Sequence, residues 1–290
     1  MSKKGLTEVD AQVRTELGLP ASHKVTAEER ARLHALYTGG DSGIKDDDLQ
    51  DLTNLRVLSA WGDSSITDAG VQSLTNLREL YVDENSKITD AVVRRLIDLR
   101  VLYAWGNSNV TDKGVQDLTK LRILSVWGNR GITDDGVQRL INLRVLNAGG
   151  DSGITDDGVL KLINLRTLYA DRNREITDAG VQGLTNLRIL FVGWNSGVTD
   201  AGLRGLINLC ILSARNNSKI TDAGVQGLTE LRMLNVGGNS GVTNAGVQGL
   251  TNLIMLYADE NSRISDEILQ LVEERAQREF NLDEARRRDE

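Results

Sequence analysis

Apolar residues return along this chain at a fixed short interval. From Leu52 the opening leucine comes back as Leu74, Leu96, Leu118, Leu140, Leu162, Leu184, Leu206, Leu228 and Leu250, so ten 22-residue copies run in phase without insertion or deletion. The first reads LTNLRVLSAWGDSSITDAGVQS. Within it the period changes. Leu55, Leu58 and Ala60 have the spacing of a bend leading into a short strand, with Leu58 and Ala60 alternating inward. Ile66 points inward next. Thr67 and Asp68 then provide a helix N-cap, and 69–77 reads as a short helix that buries Val71, Leu74 and Leu77. Gly70 returns as Gly114, Gly136, Gly158, Gly180, Gly202, Gly224 and Gly246, although a glycine inside a helix costs about 1 kcal/mol relative to alanine. Its return implies that neighbouring helices approach too closely for a side chain, and Val92 in the second copy should push its neighbours apart. A unit this small buries its apolar edge only against its neighbours, which predicts a solenoid.

The ends depart from the repeat, as caps must. The spacing extends one coil backward, with Leu33, Leu36, Asp41 and Ile44 in phase with Leu55, Leu58, Asp63 and Ile66. Before that, two short helices are expected. Leu6, Val9, Val13 and Leu17 give one apolar stripe, Gly18 and Pro20 stop it, and Thr26 with Glu29 makes a capping box. At the other end Ser265 begins a longer helix whose Ile268, Leu269, Val272 and Ala276 can seal the last coil, and NLDEARRRDE reads as a frayed tail. The expected organisation is an N-terminal helical cap over 1–29, a repeat region over 30–271, and a capping helix with tail over 272–290.

The run LRVLSAWGDSSITDAGV resembles LxxLxLxxNxxITDxG, the signature of the leucine-rich repeat family. It is close to the cysteine-containing class found in substrate-receptor subunits of ubiquitin ligases, with Asn or Asp where that class has Cys. The segment VRTELGLP…VTAEERARL…GI is similar to the helical lead-in of bacterial surface leucine-rich proteins of the internalin type. These resemblances imply an α/β leucine-rich repeat solenoid, or horseshoe, with a concave parallel β-sheet inside, convex short helices outside and helical caps at both ends. They also imply an asparagine ladder, in which Asn85, Asn107, Asn129, Asn173, Asn195, Asn217, Asn239 and Asn261 satisfy backbone groups of adjacent turns.

Composition narrows the function classes. A net charge of −7 argues against a grip on nucleic acid or an anionic membrane surface. Cys210 is the only cysteine, which excludes an intramolecular disulfide and fits a reducing compartment. The start, MSKKGLTEVDAQ, has no apolar signal region, and nowhere do about 18 apolar residues run together as a membrane span requires. A cytoplasmic location is favoured, with export after removal of a leader as the alternative, and a monomer is expected. His23 and His34 are the only histidines, both in the cap and away from Cys210. No Cys/His or Ser/His/Asp set can be assembled, so neither an enzyme nor a cofactor is expected. The carboxylates Asp68, Asp90, Asp112, Asp134, Asp156, Asp178, Asp200 and Asp222 match neither an EF-hand nor a calcium-binding β-roll, and capping is the preferred role over metal. The repeated Arg56, Arg78, Arg100, Arg122, Arg144, Arg166, Arg188 and Arg232 read as solvated scaffold residues covering apolar edges, with a polyanion-binding stripe as the alternative.

The informative positions are those that do not repeat. One outward strand slot reads Tyr37, Ser59, Tyr81, Tyr103, Ser125, Asn147, Tyr169, Phe191, Ser213, Asn235, Tyr257. The next outward slot reads Trp61, Asp83, Trp105, Trp127, Gly149, Asp171, Gly193, Arg215, Gly237, Asp259, and its neighbour adds Glu84, Arg172, Trp194, Asn216 and Glu260. Ten of the eleven aromatic residues fall there, all but Phe280. Aliphatic residues already fill the interior. Exposed rings mixed with Arg, Asp and Asn are therefore the composition of a recognition surface. Stacking along the sheet, such as Tyr81 on Tyr103 or Trp105 on Trp127, is the competing structural role. The expected anchor cluster is Trp61, Tyr81, Tyr103, Trp105 and Trp127, with Asp83 and Glu84 supplying polar specificity. A second comprises Phe191 and Trp194 flanked by Arg172 and Arg215. Tyr169, Asp171, Tyr257, Asp259 and Glu260 complete the partner-binding set, and Gly149 with Gly150 should leave a dip that admits a protruding side chain. The expected function is non-catalytic recognition of a protein partner. A glycan-binding surface and a designed or structural scaffold without a ligand are the alternatives.

Overall fold

The computed structural model describes residues 3–289 apart from 63, 86, 107, 260 and 261, with the side chains of 3–7, 41, 283, 285, 286, 288 and 289 outside the description. Asp63, Asn107 and Asn261, and the side chains of Leu6 and Asp41, therefore lie outside it. The chain divides into two compact units, one of residues 1–147 with 151–153 and one of 148–150 with 154–290.

Each copy contributes one strand. The first unit holds β1 (Ala35–Gly39), β2 (Val57–Trp61), β3 (Glu79–Tyr81), β4 (Val101–Tyr103), β5 (Ile123–Ser125) and β6 (Val145–Asn147). A constant 22-residue offset fixes the register, so Leu36, Leu58, Leu80, Leu102, Leu124 and Leu146 pair in turn. All six have no exposed surface. In the second unit β7 (Thr167–Tyr169), β8 (Ile189–Phe191), β9 (Ile211–Ser213), β10 (Met233–Asn235) and β11 (Met255–Tyr257) repeat the arrangement through Leu168, Leu190, Leu212, Leu234 and Leu256. Within each unit the strands are parallel neighbours in chain order. Among the described residues no helix is long and apolar enough to cross a membrane.

The expected helix over 69–77 is shorter than its apolar spacing suggested. Only Asp68–Val71 is helical, and equivalent single turns begin at Asp90, Asp112 and Asp134 in the first unit and at Asp156, Asp178, Asp200, Asp222 and Asn244 in the second. Beyond Val71 the bonds tighten to i→i−3, from Leu74 N to Val71 O at 2.9 Å and from Leu77 N to Leu74 O at 3.2 Å. A nine-residue helix would advance about 13 Å along its axis. Two tight turns instead return the chain to the next strand, and Leu74 and Leu77 are fully buried all the same.

The repeated aspartates also act differently from the expected cap. The N-cap is the threonine alone: Thr67 Oγ1 accepts from Ala69 N at 3.2 Å. The Asp68 carboxylate reaches to the following coil, accepting from Thr89 N at 2.8 Å and Thr89 Oγ1 at 2.7 Å. Asp112 holds Thr133 in the same way, as Asp156 holds Thr177 and Asp222 holds Thr243. This clamp explains the repeated glycine, because a Cβ at Gly136 would collide with Asp112 Oδ1. The neighbouring turn is close, as expected: the same Cβ would also press on Asp112 Cα and Val115 Cγ2 of the adjacent turn Asp112–Val115. At Val92, in the glycine slot of the second copy, the turns Asp68–Val71 and Asp90–Val93 pack less closely than their equivalents, as expected, while the Asp68–Thr89 clamp keeps its usual lengths. Asp112→Ala should cost about 2 kcal/mol through two charge-assisted bonds. Asp112→Asn should cost less than half of that, since Asn244 already holds Ser265 by both its amide oxygen, 2.9 Å from Ser265 N, and its amide nitrogen, 3.1 Å from Ser265 Oγ. Urea denaturation of the two variants measures both.

Among the described residues, the asparagine ladder is present in alternate coils only. Asn85 and Asn129 in the first unit, and Asn173 and Asn217 in the second, are at most 2% exposed. Asn129 Nδ2 donates to Ala104 O at 2.9 Å and Val110 O at 3.2 Å, while its Oδ1 accepts from Gly131 N at 2.8 Å and Ile132 N at 3.1 Å. In the coils between them a serine one position later turns inward instead. Ser64, Ser108 and Ser152, and likewise Ser196 and Ser240, are buried, and Ser196 Oγ accepts from Val198 N at 3.2 Å. Asn195 and Asn239, expected in the ladder, are exposed. Isolated bridges follow the same beat, joining Thr89 to Asn109 and Thr133 to Gly153, then Thr177 to Gly197 and Thr221 to Gly241, and depart from it only at the last coil, where Thr243 is joined to Arg263. The structural repeat at this turn is thus a pair of coils.

A second amide ladder lies at the strand entry. Asn54, Asn76 and Asn142 each donate to the carbonyl of the preceding coil, at Ala31, Thr53 and Thr119, at 2.9 Å. Asn186, Asn208 and Asn252 do the same in the second unit at 2.9–3.0 Å.

The N-terminal helix, Lys3–Leu17, buries Val9 and Val13 and covers the open edge of β1 with side chains. Gln12 Nε2 donates to Tyr37 O at 2.9 Å, Gln12 Oε1 accepts from Tyr37 N at 3.0 Å, and Glu16 Oε1 accepts from His34 N at 3.0 Å. An edge strand left bare would template association. The capping box of Thr26 and Glu29 is formed. The C-terminal helix runs Asp266–Asp289, so the segment expected to fray is helical. Arg275 Nη1 donates to Leu250 O at 2.8 Å and Arg232 pairs with Glu279 at 2.7 Å, which fastens it to the last coils. The helix-favouring Glu, Ala and Arg beyond them continue it.

Candidate functional site

In the first unit the outward strand slots carry an aromatic row. Trp61 ends β2 and rests against Gly39, where a Cβ would overlap its indole; the residue is 56% exposed. Tyr81 and Tyr103, register partners on β3 and β4, stack with centroids 4.9 Å apart and planes at 29°. Trp105 tilts against Tyr103 at 6.1 Å, and its Nε1 donates to Ser125 Oγ at 2.5 Å while the ring stays 40% exposed. Trp127 is half-buried. Asp83 accepts from Trp105 N at 3.0 Å, and exposed Glu84 follows it in the left-handed region at φ +57°. The rings are held by their neighbours and remain open to solvent.

Burial pushes the Asp83 carboxyl above its ordinary 3.8, against the lowering effect of the Trp105 N–H, and Glu84 adds to the rise. Burial likewise raises the Tyr81 hydroxyl, helped by its 3.0 Å bond to Glu79. The folded Asp83 carboxyl keeps its proton to higher pH than the unfolded one, so its ionisation opposes folding, and stability falls as pH rises above about 3.8. Asp83→Asn still accepts from Trp105 N. Its stability relative to the parent should therefore increase between about pH 3 and pH 7, read as the difference in denaturation midpoints. A flat difference would show that the carboxyl carries no penalty.

The second unit carries a related group. Tyr169 and Phe191 lie 4.8 Å apart at 33°, and Asp171 accepts from Gly193 N at 2.7 Å. Burial raises the Asp171 carboxyl too, while the Gly193 N–H and then Arg172 oppose the rise. Trp194, 44% exposed, has the Arg172 guanidinium 5.0 Å and that of Arg215 5.9 Å from its ring centroid. Arg215 crosses Gly237, whose missing side chain leaves the space, to pair with Asp259 at 3.0 Å. Tyr257 is 50% exposed, its hydroxyl donating to Met255 Sδ at 3.0 Å. Glu260 lies outside the described residues.

Three supporting residues went unread in the sequence: Gly39 beneath Trp61, Ser125 holding Trp105, and Glu79 holding Tyr81. Glu79 was legible, being a charge in a slot filled elsewhere by Val57, Val101, Ile123 and Val145. Gly39 stands one period before Trp61, as its register partner, whereas Trp105 reaches Ser125 20 residues on, off the 22-residue register. His23 and His34 are engaged in the cap with Glu29 and Glu16, each at 2.9 Å. Cys210 Sγ lies 3.7 Å from Arg188 Nη1. At the strand entry of the first unit, Asn54, Arg56, Asn76, Arg78, Glu79 and Arg100 line a cavity of about 490 Å³.

A family model described as Leucine Rich repeat matches residues 117–140. Comparison with curated proteins finds no match. Among solved structures, the chain is similar to the internalin InlF of Listeria monocytogenes, at 22% identity over 92% of each chain and a TM-score of 0.55. It is similar to the functional domain of InlJ from the same organism, described as including a cysteine ladder, at 20% identity and a TM-score of 0.58. That match covers 90% of this chain and 61% of the InlJ domain. The yeast Rad7–Elc1 complex is similar at 17% identity and a TM-score of 0.52, over 93% of this chain and 85% of that one. At such identities the likeness is one of fold. Ten in-phase copies, parallel strands ordered as the chain runs, and this likeness give the chain a leucine-rich repeat fold similar to that of the internalins.

Proposed function

We propose that the chain is a non-catalytic recognition module that binds a protein partner through the aromatic-rich outward face of its strands. The observation that carries this reading is the exposure of Trp61, Trp105 and Trp194, between 40% and 56%, in a protein whose aliphatic interior is already closed. Rings held in place and left solvated lose little freedom on association, which is why Trp and Tyr dominate binding energy at interfaces. The yeast Rad7–Elc1 complex supports the reading in general, since there a similar fold occurs in a protein complex. Affinity capture from the native source, with a variant lacking Trp105 and Trp127 as control, should retain one partner on the parent chain alone. Equal capture by both would refute the assignment of the face.

A glycan surface is the second reading. It is favoured by Trp61, whose indole rests against Gly39 and stays 56% exposed, since sugar stacking requires an accessible ring. Array binding that disappears in Trp61→Ala would select it.

A further inference from the structure

The strand-entry edge of the first unit is basic, in a protein whose net charge is −7. Its arginines stand one per coil and in register. Arg100 N donates to Arg78 O at 2.7 Å, and Arg122 N to Arg100 O and Arg144 N to Arg122 O at 2.8 Å. Coils bonded in this way hold the roots of successive guanidinium stems about 4.8 Å apart. With Arg56 at the head of the row and Lys120 beside it, six cations meet two acids there, Glu79 and Asp98. Both acids are already engaged. Glu79 accepts from the Tyr81 hydroxyl at 3.0 Å, and Asp98 pairs with Lys120 Nζ at 2.5 Å and Arg78 Nη1 at 3.1 Å. Lys120, and then Arg78, hold the Asp98 carboxyl below its ordinary 3.8. Arg100, Arg122 and Arg144 are exposed, and among the described residues their guanidinium groups have no acceptor.

The fold does not require arginine in this slot. His34, Cys210 and Ile254 stand there in other coils, and the backbone ladder runs on through Cys210, whose carbonyl accepts from Arg232 N at 2.9 Å. Like charges so closely spaced repel. An anion laid along the row relieves that repulsion and also gains charge-assisted bonds. The cavity of about 490 Å³ lies at the head of the row, but Glu79 on its wall makes that end the poorer one for an anion. The favourable stretch is therefore Arg100, Arg122 and Arg144.

We propose that Arg100, Arg122 and Arg144 bind a linear phosphate chain, a polyphosphate, along the strand-entry edge. The planar fork of each guanidinium matches two phosphate oxygens. The row is one residue wide. Its flanking positions are Asp98, Lys120 and Asn142 on one side and Val101, Ile123 and Val145 on the other. No ring stands among them, so the edge offers phosphate contacts without the stacking platforms that bind single-stranded nucleic acid. The site lies at the other end of the strands from the tryptophans and is independent of the protein-recognition reading.

Calorimetric titration of the full chain with long-chain linear polyphosphate tests the site. The parent should bind, and log Kd should rise with log salt concentration with a slope of at least about two. Replacing Arg100, Arg122 and Arg144 together by Gln should weaken binding by at least about tenfold and remove most of that slope. Replacing Arg94, Arg95 and Arg139 by Gln is the same charge change at exposed positions outside the row. At about 0.1 M salt it should alter affinity by no more than about threefold. Circular dichroism checks folding, and should the row variant not fold, Arg122→Gln alone decides, with an expected weakening of at least about threefold. The variant lacking Trp105 and Trp127 should bind polyphosphate as the parent does, so the aromatic face and the arginine row fail separately. No binding by the parent, or equal weakening by the two triple variants, overturns the site. Tighter binding of a single-stranded oligonucleotide or a sulfated glycan than of polyphosphate overturns the phosphate chain as its ligand.

Discussion

Asn129→Ala should destabilise the chain by about 3 kcal/mol or more, whereas Asn239→Ala, in the same slot of the repeat, should change stability by less than about 0.5 kcal/mol. The Asn129 amide makes four bonds at a site 1% exposed. Truncation leaves the carbonyls of Ala104 and Val110 and the amides of Gly131 and Ile132 buried without that partner, and each such group costs about 1–3 kcal/mol. Asn239 is exposed, and its coil is satisfied by Ser240, 3% exposed. Ser240→Ala should accordingly cost more than Asn239→Ala. Denaturant titration of the three variants, with m-values checked for constancy, decides the matter. Equal losses at Asn129 and Asn239 would mean that every coil uses its asparagine alike.

Trp105→Ala combined with Trp127→Ala should weaken partner binding by about 100-fold or more and lower stability by no more than about 2 kcal/mol. The asymmetry follows from where the rings sit. Leu102, Ala104, Leu124 and Val126, on the inner side of the same coils, have no exposed surface, so the core is closed without the indoles. Trp105 contributes a bond to Ser125 and a tilted contact with Tyr103, worth about 1 kcal/mol each at most. Surface plasmon resonance against the captured partner and a thermal melt of the same preparation give both numbers. A variant that fails to fold would make the tryptophans structural.

The scaffold was largely legible because its determinants are local and periodic. Leu58, Ala60 and Ile66 sit inward as their spacing required, and Thr26 with Glu29 formed the expected box. What escaped reading was set by contacts between coils. Asp68 looks like a cap to its own helix, yet its partner stands 21 residues ahead at Thr89. Asn195 and Asn217 occupy equivalent slots, but one is solvated and the other fully buried, because the serine beside Asn195 turns inward in its place. On the candidate face the slots were readable by their departure from the repeat. The ring pairings, and the occupation of Trp194 by Arg172 and Arg215, depend on side-chain reach that periodicity does not encode.

The alternation of asparagine and serine coils also limits how such a gene can change length. Unequal crossing-over that adds or removes a single coil would set two asparagine turns or two serine turns side by side, where Asn129 now faces Ser108 and Ser152. Exchanges by two or by four coils keep the beat. The recurrence of Tyr81 and Asp83 as Tyr169 and Asp171 has the even stride that such inheritance would leave.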